Sequence, residues 1–95
     1  MSGTQAVSTP LLETERVIVT RWDFAPGCTT GFHTHQRDYV VVPMTTGRLR
    51  LVAADGTESE VELVTGMPYS RSAGVSHDVI NSTTFDFSFI EIELK

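Results

Sequence analysis

Three histidines are the residues of this sequence best suited to chemistry, and two of them are separated by a single residue. His33 and His35 fall in a run predicted to be extended, so alternation along a strand places both imidazoles on one face. His77 opens a second short extended segment behind a glycine-containing loop, and it can face the pair if the sheet closes. Because neutral imidazole binds several transition metals, the trio predicts a metal site with open positions for water, substrate or dioxygen.

The same alternation selects the neighbours of these histidines. Arg37 and Tyr39 share their face, whereas Asp38 points the other way unless the strand bulges. Tyr39 is therefore expected beside the site, either as a hydrogen-bond donor to a ligand or as a packed ring. Arg50 and Arg71 are candidates for pairing with a carboxylate substrate at a rim, although solvated arginines are the commoner case.

Two further polar residues have structural interpretations. Cys28 follows a turn glycine close to the first two histidines, where an inert buried thiol is the commoner outcome and a reactive one the alternative. Asn81 is expected to hold a loop or the sheet by hydrogen bonds and to take no part in catalysis.

The elements that must position these residues are all extended, since no window of a dozen residues has helical periodicity. Asp55-Gly56 is the strongest hairpin signal. Turns recur every 8–12 residues or so, which is typical of an all-β sandwich or barrel. The predicted strands are residues 16–24, 32–42, 48–52, 57–64, 67–71, 77–81 and 85–94.

The last strand carries apolar side chains on both faces. Phe85, Phe87 and Phe89 occupy odd positions, whereas Ile90 and Ile92 occupy even ones. Either a bulge exchanges the faces, or both faces are partly covered. A homodimer interface over the sheet would cover the second face.

Composition narrows the class of protein. The 95 residues allow one domain, and a formal net charge of -5 with a pI near 5.0 argues against a nucleic-acid partner. Neither a signal peptide nor a membrane-spanning segment is predicted, and with the single cysteine this favours a cytoplasmic location as an expectation. Residues 1–13 are expected to be a tail or an edge arm, and residues 14–95 the barrel domain.

Two motifs resemble those of the cupin superfamily. The stretch from Gly27 to His35 has the form G-x5-H-x-H, and the stretch from Gly66 to Asn81 has the form G-x5-(P)-x-G-x2-H-x3-N. They stand in the family's order with a hairpin between them. The phrases DYVVVP, from Asp38, and FIEIELK, from Phe89, are most similar to small single-domain cupins described as β-alanine degradation proteins.

The resemblance implies a jelly-roll β-barrel with a metal in its mouth. Residue by residue, His33, His35 and His77 match three family ligands, while Tyr39 stands where the family usually has a glutamate ligand and Ser72 where it usually has proline. What remains is a neutral three-histidine site, similar to that of cupin dioxygenases that lack this carboxylate. The resemblance leaves Tyr39 as a distal ligand, a hydrogen-bond donor to the substrate or a packing residue. The implied cofactor is a divalent transition metal, namely iron, zinc, nickel, manganese or copper.

Two functions of different classes follow. The first is a metal-dependent enzyme, of dioxygenase or isomerase type, that binds a small polar or carboxylate-bearing metabolite and uses Tyr39 as a hydrogen-bond or proton donor. The second is a non-catalytic module that binds a small molecule, with or without metal. Both have a small-molecule partner and neither has a nucleic-acid or membrane partner.

Overall fold

The computed structural model describes residues 4–95, which form β-strands joined by turns and loops. No part of this range is a helix with the length and apolar character needed to span a membrane. In chain order the strands are β1 (Val7–Glu13), β2 (Val17–Phe24), β3 (His33–Thr34), β4 (Tyr39–Pro43), β5 (Gly47–Val52), β6 (Glu58–Leu63), β7 (Tyr69–Arg71), β8 (Ser76–Ile80) and β9 (Phe87–Leu94).

The strands form two antiparallel sheets around one apolar core. One sheet has the order β1-β2-β9-β4-β7, and the other has the order β3-β8-β5-β6. Phe24 and Phe87 from the first sheet, and Leu49 and Leu63 from the second, are fully buried between them. This arrangement confirms the predicted all-β, jelly-roll architecture.

The Asp55-Gly56 hairpin forms as predicted. It joins β5 to β6, and the N–H of Gly56 donates a hydrogen bond to the carbonyl of Ala53. Gly56 has a φ of +85°, in the left-handed region that favours glycine, and the Asp55 carboxylate accepts from the N–H of Thr57.

The prediction of one long strand over residues 32–42 is wrong. That segment splits into β3 and β4, which belong to different sheets. Between them the N–H of His35 donates to the carbonyl of Val75, and the carbonyl of His35 accepts from the N–H of Gly74. His35 is thereby bound to the loop before β8, and the chain crosses from one sheet to the other immediately after it.

Strand β9 is apolar on both faces without any bulge. It pairs with β2 and β4 in unbroken register, so its odd residues face the barrel interior and its even residues face outward. On the outer face, Ile92 lies between Val19 of β2 and Val40 of β4, and Leu12 of β1 continues the row. These side chains are half-buried or exposed in the single chain.

Strand β1 lies within the segment predicted to be a tail or an edge arm. It pairs with β2 at the edge of the larger sheet, with a register irregularity between Pro10 and Leu12, and all seven of its residues are exposed. Residues 1–3 of that segment lie outside the described residues.

Candidate metal centre

The imidazoles of His33, His35 and His77 meet at one point inside the barrel. The Nε2 atom of His35 lies 3.0 Å from that of His33 and 3.2 Å from that of His77. The three rings are mutually edge-on, with interplanar angles of 73–89°. Among the histidine, cysteine and acidic side chains of the described residues, these three histidines are the group close enough together to hold one ion.

The spacing of these nitrogens fits a shared divalent ion. Metal–nitrogen bonds of about 2.0–2.1 Å, at bond angles between octahedral and tetrahedral, separate neighbouring ligand nitrogens by about 2.9–3.4 Å. The two Nε2 separations that involve His35 lie within that interval, and the ligand atoms of all three histidines lie within 4.8 Å of one another. Three neutral nitrogen donors suit borderline transition metals such as iron, nickel, copper and zinc better than calcium or magnesium.

The pairing of β3 with β8 and the carbonyl of Gly31 together fix the orientation of the His33 ring. His33 and His77 are direct cross-strand partners on β3 and β8. The Nδ1 of His33 lies 2.9 Å from the carbonyl of Gly31, a residue with a φ of +79°. Donation of the Nδ1 proton to this carbonyl leaves the Nε2 lone pair free for a metal. The Nδ1 of His77 is buried and has no hydrogen-bond partner among the described residues.

The environment holds His35 and His77 in the neutral form that a metal requires. Burial lowers the pKa of His35 to about 4, assisted by the charges of His33 and His77 when protonated. Burial likewise lowers the pKa of His77 to about 4, with a further contribution from His33. At neutral pH both rings therefore offer lone pairs without first losing a proton.

Tyr39 packs directly against the cluster. Its ring stacks on that of His35 with the centroids 3.8 Å apart and the planes 19° from parallel. Burial raises the pKa of Tyr39 to about 12, so its hydroxyl keeps its proton at neutral pH. A buried hydroxyl in this form is a hydrogen-bond donor and a very weak acid.

A cavity of about 340 Å³ opens above the three histidines. Its wall includes an apolar set, Trp22, Val41, Leu49, Leu51, Val61, Val79 and Phe89. Its exposed members are Thr34, Gln36, Arg37 and Arg71, at the mouth. This volume lies at the lower end of the range for small-molecule sites, so it has room for a small metabolite bound beside an ion.

Of the other side chains that the sequence singled out, some line the cavity and others do not. Arg50 is exposed on the surface beside Glu58, 3.5 Å away, and does not line the cavity. The carboxylate of Asp38 accepts from the N–H of Ala73 at 2.8 Å. Cys28 is a buried free thiol in the apolar core. Arg37 and Arg71 do line the cavity.

Sequence reasoning missed two acidic residues of the cavity wall. Glu91 and Glu93 follow Phe87 and Phe89 at alternate positions of β9, so they also face inward. The available signal was the continuation of a core-facing series into charged residues, which is unusual for a strand with a buried face.

Comparison with known proteins shows the relationship of the chain. No family model matches it. It is 49% identical over 96 residues to a Pseudomonas aeruginosa protein named Beta-alanine degradation protein BauB, with full coverage of both chains. It is also similar to a crystal structure of a cupin domain from Bordetella pertussis, with 47% identity, a TM-score of 0.95 and coverage of 100% and 98% of the two chains.

A more distant solved structure shares the fold alone. A cupin superfamily protein from Desulfitobacterium hafniense is 18% identical, with a TM-score of 0.71 and coverage of 97% of this chain and 79% of the other. The Pseudomonas aeruginosa and Bordetella pertussis proteins are related to this chain more strongly, since they are 49% and 47% identical over almost their whole length. The chain, with its two-sheet barrel and its cluster of three histidines inside it, therefore belongs to the cupin superfamily.

Proposed function

We propose that this chain is a metal-dependent enzyme, of dioxygenase or isomerase type, that acts on a small polar metabolite carrying a carboxylate. The observation that carries the proposal is the grouping of three imidazoles beside an open cavity, with the Nε2 of His35 3.0 Å from that of His33 and 3.2 Å from that of His77, and all three ligand atoms within 4.8 Å of one another. In this proposal His33, His35 and His77 are the metal ligands. A bound divalent ion supplies Lewis acidity, or dioxygen activation if it is iron.

The residues around the cluster support binding and orientation of such a molecule. Arg71 and Arg37 place positive charge at the cavity mouth, where a carboxylate enters. Tyr39, held against His35 by stacking, is proposed to donate a hydrogen bond from its hydroxyl to the bound molecule. The apolar part of the cavity wall lowers the local dielectric, which strengthens each of these electrostatic interactions.

The name of the relative, Beta-alanine degradation protein BauB, supports a substrate about the size of β-alanine, with a carbon skeleton of about three atoms. Products of the breakdown of a small amino acid include carboxylates and oxo acids, which suit an arginine at the mouth and an ion at the base. We therefore propose small oxo acids as the first substrates to test.

The two reaction types are separable by experiment. Protein purified without a histidine tag and loaded with Fe²⁺ is expected to consume dioxygen with a diketone or an oxo acid, if it is a dioxygenase. The Zn²⁺-loaded protein is expected to exchange carbon-bound protons of an oxo acid with D₂O, observed by NMR, if it is an isomerase. Protein stripped by a chelator is the control, and activity that survives stripping contradicts the proposal.

A ligand-binding module without catalysis is the second candidate. It is favoured by Tyr39, whose pKa of about 12 makes its hydroxyl a poor proton donor in a reaction, and which stands at the position of a usual family carboxylate. Tight binding of an oxo acid to the metal-loaded protein, with neither dioxygen consumption nor proton exchange, would support this second candidate.

We also propose that the chain forms a homodimer through the outer face of the larger sheet. The row formed by Leu12, Val19, Ile92 and Val40 crosses four strands and presents apolar side chains outward. Light scattering at micromolar concentration is expected to give twice the 10.5 kDa chain mass, and Ile92→Arg to give the chain mass itself. A monomer for the unchanged protein contradicts this proposal.

A further inference from the structure

Glu91 lies at an unusual place for a carboxylate. Its direct cross-strand partners are Val41 of β4 and Thr20 of β2, and it faces the cavity together with the neighbouring Phe89. No hydrogen bond or ion pair holds its side chain among residues 4–95. A half-buried carboxylate without a partner is costly, so this position favours the neutral acid.

The charged and titratable groups around Glu91 affect the pKa of its carboxyl group. Burial raises the pKa of Glu91 to about 7, with a further contribution from the charge of Glu93, which faces the same cavity two residues further along β9. On β4 and β7, Tyr39 and Tyr69 are protonated at neutral pH, and Arg71 is the cation on these strands. Across the cavity stand the three histidines, and Arg37 lies at the mouth.

Strand register separates these groups into two rows. Arg71, Tyr39 and Glu93 are successive cross-strand neighbours on β7, β4 and β9. The adjoining row consists of Tyr69, Val41 and Glu91. Glu91 is therefore diagonal to Tyr39 and separated from Arg71 by a full strand, so the arginine does not neutralise it at contact distance.

We propose that Glu91 is the proton-holding residue of this cavity: its carboxyl group takes up a proton when an anionic ligand binds beside the histidine cluster, and donates it in a hydrogen bond to that ligand. This inference rests on the proposed function, because it requires the ligand to occupy the cavity above His33, His35 and His77. The proton comes from solvent and resides on a carboxylate oxygen of Glu91.

Like-charge repulsion is the physical reason. An ionised Glu91 and a carboxylate ligand in one partly apolar cavity repel each other, so each binds less readily while the other is charged. Protonation of Glu91 removes the repulsion and converts it into a charge-assisted hydrogen bond.

Oxalate binding to the Zn²⁺-loaded protein tests the inference. Calorimetry in buffers of different ionisation enthalpy is expected to show uptake of close to one proton per oxalate at pH 8. The affinity for oxalate is expected to fall as the pH rises above 7, by up to about tenfold per pH unit. In Glu91→Gln, the affinity for oxalate at pH 8 is expected to increase. The proton uptake that accompanies oxalate binding in the unchanged protein is expected to disappear.

Glu93→Gln is the matched control on the same face of β9. It removes the like charge beside Glu91, so the pH midpoint is expected to move down while the proton uptake remains. A ¹³C NMR titration of the Glu91 carboxyl in the unchanged protein, with and without oxalate, gives a second measurement that needs no variant. Oxalate is expected to raise the pKa in that titration.

The outcomes distinguish the two levels of the proposal. If oxalate does not bind to the Zn²⁺-loaded protein, the proposed function fails and this inference fails with it. If oxalate binds but Glu91→Gln leaves proton uptake unchanged, or oxalate leaves the Glu91 pKa unchanged, only the role of Glu91 is overturned.

Discussion

Replacing His77 by alanine is expected to remove most of the stabilisation that a divalent metal gives to this protein. A ligand that binds only the folded state at 1,000 times its Kd stabilises that state by about 4 kcal/mol. For a 95-residue domain this corresponds to an increase in melting temperature of more than about 10 °C. Loss of one of the three nitrogens is expected to weaken metal binding by at least about 100-fold. At the same metal concentration the metal then stabilises the folded state by only about 1.4 kcal/mol.

The measurement is the metal-induced shift in melting temperature of each variant, with Zn²⁺ or Ni²⁺ added to stripped protein. Because the shift is measured within one variant, the cavity left by the smaller side chain at His77 does not affect it. Gln36→Ala is the control, since Gln36 is an exposed residue of the cavity mouth, adjacent to His35, and is not part of the nitrogen cluster. A full shift in His77→Ala contradicts the three-histidine site.

Replacing Asn81 by alanine is expected to destabilise the fold by about 3 kcal/mol or more. Asn81 is 0% exposed, and its side-chain amide donates to the carbonyls of Phe24 and Phe85 at 3.1 and 2.9 Å. Its side-chain oxygen accepts from the N–H and the hydroxyl of Thr83. Alanine removes all four hydrogen bonds, each with a net contribution of about 0.5–1.5 kcal/mol, and leaves the buried carbonyl of Phe24 without this donor. The carbonyl of Phe85 still accepts from the hydroxyl of Thr83.

Urea denaturation measures this loss as a decrease in the free energy of unfolding. Thr46→Val is the control, because the hydroxyl of Thr46 bonds to that of Thr65 at an exposed turn, where the change is expected to cost less than about 1 kcal/mol. If Asn81→Ala costs no more than Thr46→Val, the hydrogen bonds of Asn81 do not hold this end of the barrel.

Alternation along strands predicted which side chains meet, even where the strands themselves were placed incorrectly. His33 and His35 were expected on one face of a single strand, and their Nε2 atoms do lie 3.0 Å apart. Yet His35 lies outside β3, on a crossing segment held by Gly74 and Val75. The crossing depends on hydrogen bonds to a loop about forty residues away, which no local pattern contains.

Long-range pairing also explains what the sequence could not show. Glu91 and Glu93 lie within the phrase FIEIELK, but that phrase assigns them no role, and the register of β9 against β4 is what places them on the cavity wall. The same register decides between the two explanations for the apolar outer face of β9, since it excludes a bulge. Periodicity predicts faces, whereas sheet order and register decide which faces lie opposite each other.

The distribution of groups between the two sheets has a consequence for how such a barrel can diversify. His33 and His77 belong to the smaller sheet, whereas Tyr39, Arg71 and Glu91 belong to the larger one. Mutations on β7 and β9 can therefore alter the cavity wall while the histidine nitrogens on the smaller sheet stay in place. In the same way, one scaffold can acquire new specificities without rebuilding its reactive centre.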